Sequence, residues 1–238
     1  FVEAIRMLKA ENPDNVFVAM VSYLPMPSKV GEMKTKPTQH AVRALNSAGV
    51  QPDIIVARSD IPLDKKRKEK IATFCNVLSK HVISAPDVES IYDIPLNFEK
   101  EKIGDIISDK LKLQKKRKKA DLSEWKKFAT RTHTAKKEVR IAVIGKYFDT
   151  GDFVLSDAYI SVIEAIKHAS YHLARAPKID WLNAVDFEKD KKKLKELKDY
   201  DGILVPGGFG ERGIEGKLNV IEYARKNKIP YLGLCYGM

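Results

Sequence analysis

The 238-residue chain carries 43 basic and 32 acidic side chains for a formal net charge of +11, and 44% of its residues are hydrophobic, which places it among soluble globular proteins. No apolar run approaches the roughly 20 residues that a bilayer-spanning helix needs, and the first residues do not read as a secretory leader. Cys75 and Cys235 lie far apart without metal-ligand spacing, which argues against a disulfide framework or a zinc site and fits a reducing cytoplasm.

Residues 1–11 have helical periodicity but no cap, and the chain stops as abruptly at Met238; both ends read as truncations. Helices then alternate with short apolar strands, the pattern of an α/β protein with largely parallel sheets. The spacing predicts a buried strand over 16–21, a helix over 38–47 ending at Gly49, and a strand over 53–57. A helix over 64–74, a strand over 81–84 and a surface helix over 103–113 follow. Residues 124–138 lose apolar periodicity and gain charge, and read as a linker between a first domain, 1–123, and a second, 139–238. The second opens with a strand over 139–145 that ends in glycine. A helix with Ala158, Val162, Ile166, Ala169 and Leu173 near one stripe comes next. Strands are predicted over 179–182, 202–205 and 231–234, with a helix over 216–226, and there are no internal repeats. The basic runs at 65–68, 115–119 and 191–193 carry no interleaved aromatics, and no recognition-helix or zinc-finger pattern accompanies them. They read as solvated faces, not as a nucleic-acid surface.

Two motifs near the end carry chemistry. Leu204-Val205-Pro206-Gly207-Gly208-Phe209-Gly210 runs a strand into a glycine-rich turn, and Leu232-Gly233-Leu234-Cys235-Tyr236-Gly237 delivers a cysteine into another. The second has the physics of a nucleophile elbow, in which small neighbours let the backbone turn sharply and expose the thiol. Bare N–H groups at Gly207 and Gly208 can face a developing oxyanion. In a parallel sheet both turns lie at the carboxyl edge. A lone cysteine at a strand end is more often a small buried hydrophobe, and a Pro-Gly-Gly turn is usually only a turn. Their joint occurrence, one helix apart, is much rarer than either.

Gly-Gly-Phe-Gly followed by Gly-Leu-Cys-Tyr-Gly resembles the class I (triad) glutamine amidotransferases. Gly145-Lys146-Tyr147, the run from Asp157 to Ala165, and the run from Val205 to Lys217 narrow the likeness to the CTP synthase family, over essentially the whole chain. The resemblance implies two α/β parallel-sheet domains, a P-loop-type amidoligase part followed by a flavodoxin-like glutaminase part, both truncated. It implies that Cys235 forms the glutamyl thioester and that the Gly207–Gly208 turn makes the oxyanion hole. It also implies that Gly208, Phe209 and Tyr236 border glutamine. The family's histidine and glutamate triad partners lie further along. His40, His81, His133, His168 and His172 show no triad-like or metal-like pairing, and none is assigned catalysis. Residues 149–153 form an insertion relative to the shortest family members and are expected on a surface loop.

The segment from Gly31 to His40 is the strongest signal of the first half. Its lysines and hydroxyls enter a helix near Thr38, which suits phosphate but equally suits an ordinary N-cap with solvated lysines. The family resemblance implies that Lys34, Thr35, Lys36, Pro37, Thr38 and Gln39 bind UTP, or CTP as inhibitor, at a junction between subunits. It adds Lys70, so that part of the 65–70 run faces phosphate. It places Arg58 where ammonia arrives, against the alternative of a surface salt bridge, and Pro86, Asp87 and Val88 against the adenine of ATP. No G-x-x-x-x-G-K-S/T occurs. The Mg²⁺ that accompanies ATP is therefore expected to find its ligands outside this stretch, and no organic cofactor is expected. Activation by GTP and a homotetramer are further implications, with neither nucleic acid nor membrane as partner. The rivals are another amidotransferase or cysteine hydrolase with the same elbow, and a basic nucleic-acid-binding protein.

Overall fold

The computed structural model describes residues 1–28, 31–113, 120–145, 159–208 and 211–238, and the chain divides into two compact units, 1–129 and 130–238. Among the described residues no helix is long and apolar enough to cross a membrane.

The first unit contains α1 (Val2–Glu11), β1 (Ala19–Tyr23), α2 (Lys36–Ser47), β2 (Ile54–Ser59), α3 (Lys65–Cys75) and β3 (Val82–Pro86). It continues with α4 (Ile94–Lys100), α5 (Ile103–Lys110) and α6 (Ser123–Thr134), the last crossing the division between units. The strands pair in parallel in the order β1-β2-β3. Alternation along β2 sends Ile55 and Ala57 to one face, with Val42 of α2 and Ile71 and Cys75 of α3. Ile54 and Val56 go to the other face, with Ile83 and Ile106. Gly49 ends α2 in the left-handed region, φ +78°, while Val50 N–H bonds back to the Leu45 carbonyl at 3.2 Å. Asp64 caps α3 through the Arg67 N–H at 2.7 Å.

One expectation is corrected. The strand predicted over 16–21 forms over 19–23 and is not buried, since β1 pairs only with β2 among the described residues and Val21 stays 64% exposed. Residues 124–138, expected to be the linker, contain the division between the two units. Helix α6 occupies most of them, with Trp125, Phe128 and Ala129 spaced three and four apart. The Trp125 indole donates to the Tyr92 carbonyl at 2.8 Å, and the rings of Tyr92 and Phe128 meet edge-on at 4.9 Å.

Asp53, just before β2, ties the start of this unit together. It accepts from the Lys9 ammonium at 2.7 Å and the Val18 N–H at 2.8 Å, with Lys110 at 3.3 Å. Burial raises its pKa, but the Lys9 and Val18 hydrogen bonds outweigh that, and the carboxyl lies below the usual carboxylate value. A depressed folded-state pKa gives stability that is complete above the unfolded value of about 4 and fades as pH falls through the folded one. Asp53→Asn is expected to cost about 3 kcal/mol at pH 7, and progressively less below pH 4, in urea unfolding of the full-length protein. An unchanged midpoint at pH 7 would remove Asp53 from the account.

The second unit contains β4 (Lys137–Gly145), α7 (Ile160–His172), β5 (Arg175–Asn183), α8 (Ala184–Lys189), β6 (Gly202–Val205), α9 (Ile214–Asn227) and β7 (Tyr231–Gly233). All pairings are parallel, in the order β5-β4-β6-β7. The core on one face gathers Ala142, Ile144, Ile203 and Val205 against Phe187 of α8 and Val220 and Ala224 of α9. Helices α8 and α9 meet backbone to backbone. A Cβ on Gly216 would stand 1.8 Å from the Ala184 carbonyl oxygen. Gly216→Ala is therefore expected to destabilise the protein by more than about 3 kcal/mol, read as a lowered melting temperature.

On the opposite face the stripe predicted for α7 borders an open concavity of about 350 Å³, with Ile166, Ala169 and Leu173 over Ile141, Leu204 and Leu232. Leu173 remains 70% exposed, while Ile163 and Ser170 are the buried residues of the helix. Ala158, the insertion at 149–153 and the basic run at 115–119 lie outside the described residues.

Candidate functional site

The parallel register of β6 and β7 brings the two glycine-rich turns together. Val205 lies opposite Gly233. The Leu234 N–H then bonds the Val205 carbonyl at 3.0 Å, extending the ladder one step past β7. Two residues beyond the matched pair, Gly207 and Cys235 face each other. A Cβ on Gly207 would sit 3.2 Å from Cys235 Cβ and 3.6 Å from its Sγ. Glycine is the residue that lets the turn backbone approach the sulfur this closely.

Cys235 adopts φ +56°, a left-handed conformation that a non-glycine residue rarely holds, and its side chain is exposed. Leu234 before it is extended, and Cys235–Gly237 form a single 3₁₀ turn. The turn is packed from below, since a Cβ on Gly237 would lie 2.0 Å from the Val205 carbonyl oxygen. The Tyr231 hydroxyl donates to the Gly237 carbonyl. Cys75 is the contrast: it is buried among apolar residues, and burial pushes its thiol pKa up. Tyr236 is exposed beside Cys235, Gly208 is half-buried in its turn, and Phe209 lies outside the described residues.

Two contacts that the sequence did not announce hold the Gly207–Gly208 turn. The Lys217 ammonium donates to the Pro206 carbonyl at 3.1 Å, and the Tyr159 hydroxyl to the Gly207 carbonyl at 3.4 Å. Lys217 belongs to the buried stripe of α9, with Gly216, Val220 and Ala224. A lysine on an apolar stripe was the signal available in the sequence.

In the first unit, Lys34, Thr35 and Lys36, from the start of α2, meet Lys66, Arg67 and Lys70 from α3 around a pocket of about 560 Å³. Glu32, Met33 and Asp64 complete its lining, so five cations face two carboxylates. Residues 66 and 70 are one helical turn apart, and α3 therefore presents them together. Lys34 bonds Glu32 at 2.7 Å. That hydrogen bond, with help from Arg67 and Lys70, holds the Glu32 carboxyl below its ordinary value. The rest of the predicted string has other occupations. Thr38 is fully buried and shares a hydrogen bond with the Ser22 hydroxyl at 2.8 Å. The Gln39 amide donates to Thr35 Oγ1 at 3.1 Å. Pro37 sits exposed in the first turn, where its missing N–H costs nothing.

Pro86, Asp87 and Val88 line a larger pocket of about 610 Å³ with Val21, Val56, Ile91 and Phe98. Arg58 joins them, and its guanidinium pairs with Asp87 at 2.8 Å. The surface salt bridge weighed for Arg58 thus forms, and its partner comes from the Pro86–Val88 segment.

Residues 1–113 match the family described as CTP synthase N-terminus, and residues 154–238 match glutamine amidotransferase class-I. Curated CTP synthases from Caldanaerobacter subterraneus subsp. tengcongensis, Methanocaldococcus jannaschii and Carboxydothermus hydrogenoformans are 48%, 45% and 49% identical to it. Each match covers 100% of this chain, which spans only 43%, 44% and 43% of the respective relatives. A solved glutaminase domain of Trypanosoma brucei CTPS with bound acivicin is 38% identical, covering 42% of this chain and 37% of that one, with a TM-score of 0.38.

Proposed function

We propose, since this chain belongs to the CTP synthase family along its full length, that it supplies two working parts of an enzyme that aminates UTP to CTP with ammonia from glutamine. The observation that carries the reading is Cys235, exposed at φ +56° against the bare backbone of Gly207. In this reading the Cys235 thiolate attacks the carboxamide carbon of glutamine and a C–S bond forms. The carbonyl oxygen becomes an oxyanion facing the Gly207–Gly208 turn. Collapse breaks the C–N bond as the nitrogen takes up the proton the thiol gave up, so ammonia leaves and a thioester remains; water then breaks the C–S bond, freeing glutamate and returning the thiol. Phe209 and Tyr236 border the glutamine.

The ammonia goes to the amidoligase. There ATP phosphorylates the uracil O4, and ammonia displaces that phosphate. The cationic pocket of Lys34, Lys36 and Lys70 suits the triphosphate of UTP, or of CTP as inhibitor. Thr35, Pro37, Thr38 and Gln39 shape that helix start. Pro86–Val88 would border the ATP adenine and Arg58 the point of ammonia arrival. Mg²⁺ would bind with ATP and neutralise its phosphates. Among the described residues no group of three or more His, Cys, Asp or Glu side chains could hold a metal ion. Activation by GTP, a homotetramer and a cytoplasmic setting belong to the same reading.

The test is formation of CTP from UTP, ATP, Mg²⁺ and glutamine by the full-length protein, with glutamate released in step. Glutamine hydrolysis that never yields CTP would favour another amidotransferase. Strong, salt-sensitive RNA or DNA binding without either reaction would favour a basic nucleic-acid-binding protein.

A further inference from the structure

We propose that Lys217 and Tyr159 are positioning residues for the oxyanion turn, each fixing the direction of one N–H by holding the carbonyl of the same peptide unit. The inference rests on the glutaminase reading of Cys235 and deepens it.

A trans peptide is a rigid plane in which the C=O and the following N–H point in opposite directions. The Pro206 carbonyl is held by Lys217 at 3.1 Å, so the Gly207 N–H is turned away from α9. The Gly207 carbonyl is held by Tyr159 at 3.4 Å, and this sets the Gly208 N–H in the same manner. Glycines have no side chain with which to restrict their own peptide planes, so the turn needs external anchors. Both anchors are themselves fixed. Lys217 is 3% exposed on the core stripe of α9, where its stem has little freedom. Tyr159 stacks on Trp181 of β5, with ring centroids 6.3 Å apart and planes 24° apart.

A buried ammonium is costly unless it is hydrogen-bonded. Packing alone would be met better by leucine or methionine at position 217. A side-chain amine donating to the Pro206 carbonyl polarises that peptide unit and strengthens its Gly207 N–H as a donor toward developing negative charge. That favours the oxyanion over the neutral amide and assists the chemical step more than ground-state binding.

The experiment uses the full-length protein with glutamine as substrate, and compares Lys217→Met, Lys217→Arg and Tyr159→Phe. Removing an oxyanion donor outright costs about 100-fold or more in kcat, so misaiming one is expected to cost roughly 10-fold in Lys217→Met and about 3-fold in Tyr159→Phe. KM for glutamine should stay within about twofold in both, because the interaction matters in the transition state. Lys217→Arg should recover part of kcat. Alkylation of Cys235 by iodoacetamide creates no oxyanion, so its rate should not change. Unchanged kcat in both Lys217→Met and Tyr159→Phe would overturn the proposal. So would losses of hydrolysis and alkylation in parallel, which mark a general collapse of the elbow. Should Lys217→Met fail to fold, Tyr159→Phe, which removes only a hydroxyl, decides the matter. A wild-type protein that does not hydrolyse glutamine would sink the glutaminase reading itself, whereas an active wild type with indifferent variants sinks only the positioning role.

Discussion

Replacing Cys235 by alanine in the full-length protein is expected to abolish glutamine-dependent CTP formation, by about 10⁴-fold or more, while synthesis from added ammonia continues. The expectation follows from what the residue can contribute in its place. Its backbone is strained at φ +56° and its thiol is exposed, so the fold keeps an unfavourable conformation where a buried apolar residue would have been easier. Strain of this kind is retained where it aims a side chain, and the bare Gly207 backbone is what Cys235 is aimed beside. On the proposed glutaminase reading, ammonia supplied from solution bypasses the thioester, so only the glutamine route should fail. Glutamate release would be measured beside CTP formation. Glutamine-dependent activity that survives in the alanine variant would remove Cys235 from the chemistry. Equal loss of both routes would mean that the substitution damages the fold. Cys235→Ser offers a sharper comparison, because a hydroxyl is a far weaker nucleophile than sulfur and should also fail.

The meeting of Gly207 with Cys235 is legible in the sequence, for a definable reason. Strand ends, glycine-rich turns and a following helix are local features, and parallel pairing turns them into a juxtaposition. Once β6 and β7 lie in register at Val205 and Gly233, equal steps along each chain bring Gly207 to Cys235. Elements without such local encoding are harder to read. Strand β1 has the composition of a buried strand, but burial depends on what covers it, and residues 19–23 have a partner on one edge among the described residues. The helix over 123–134 is hard to see in the sequence because its charged residues outnumber the three apolar ones that pack it. Thr38 and Gln39 are buried while Lys36 is exposed, and no local pattern sets this, since a helix start exposes or buries its residues according to where its axis points. The roles of Lys217 and Tyr159 depend on contacts 11 and 48 residues away along the chain, and no motif encodes those distances.

Neutralising Lys36 and Lys70 together is expected to weaken binding of UTP and of CTP by about 100-fold or more, since each charge-assisted hydrogen bond contributes roughly 1.5–3 kcal/mol. The two lysines come from different helices and meet around one pocket, so a polyphosphate would be gripped from both sides. Gln at both positions keeps most of the volume and removes the charge. The loss should shrink at high salt, because the wild-type pocket is itself screened. Lys68→Gln is the matched control. It lies in the same basic run but pairs with Glu101 at 2.6 Å and is not part of the pocket lining, so it should leave affinity within about twofold. Glu32→Gln carries the opposite sign. The wild-type carboxylate occupies Lys34 at 2.7 Å, and any phosphate must compete with it for that ammonium. Removing its charge frees Lys34 and reduces repulsion, so affinity should rise about threefold. Equilibrium binding of UTP to the full-length protein reads all three variants on one scale. If the double lysine variant binds as tightly as wild type, the cationic pocket is a solvated surface and the nucleotide sits elsewhere. If Lys68→Gln loses as much as the pair, the effect is general charge and not a site.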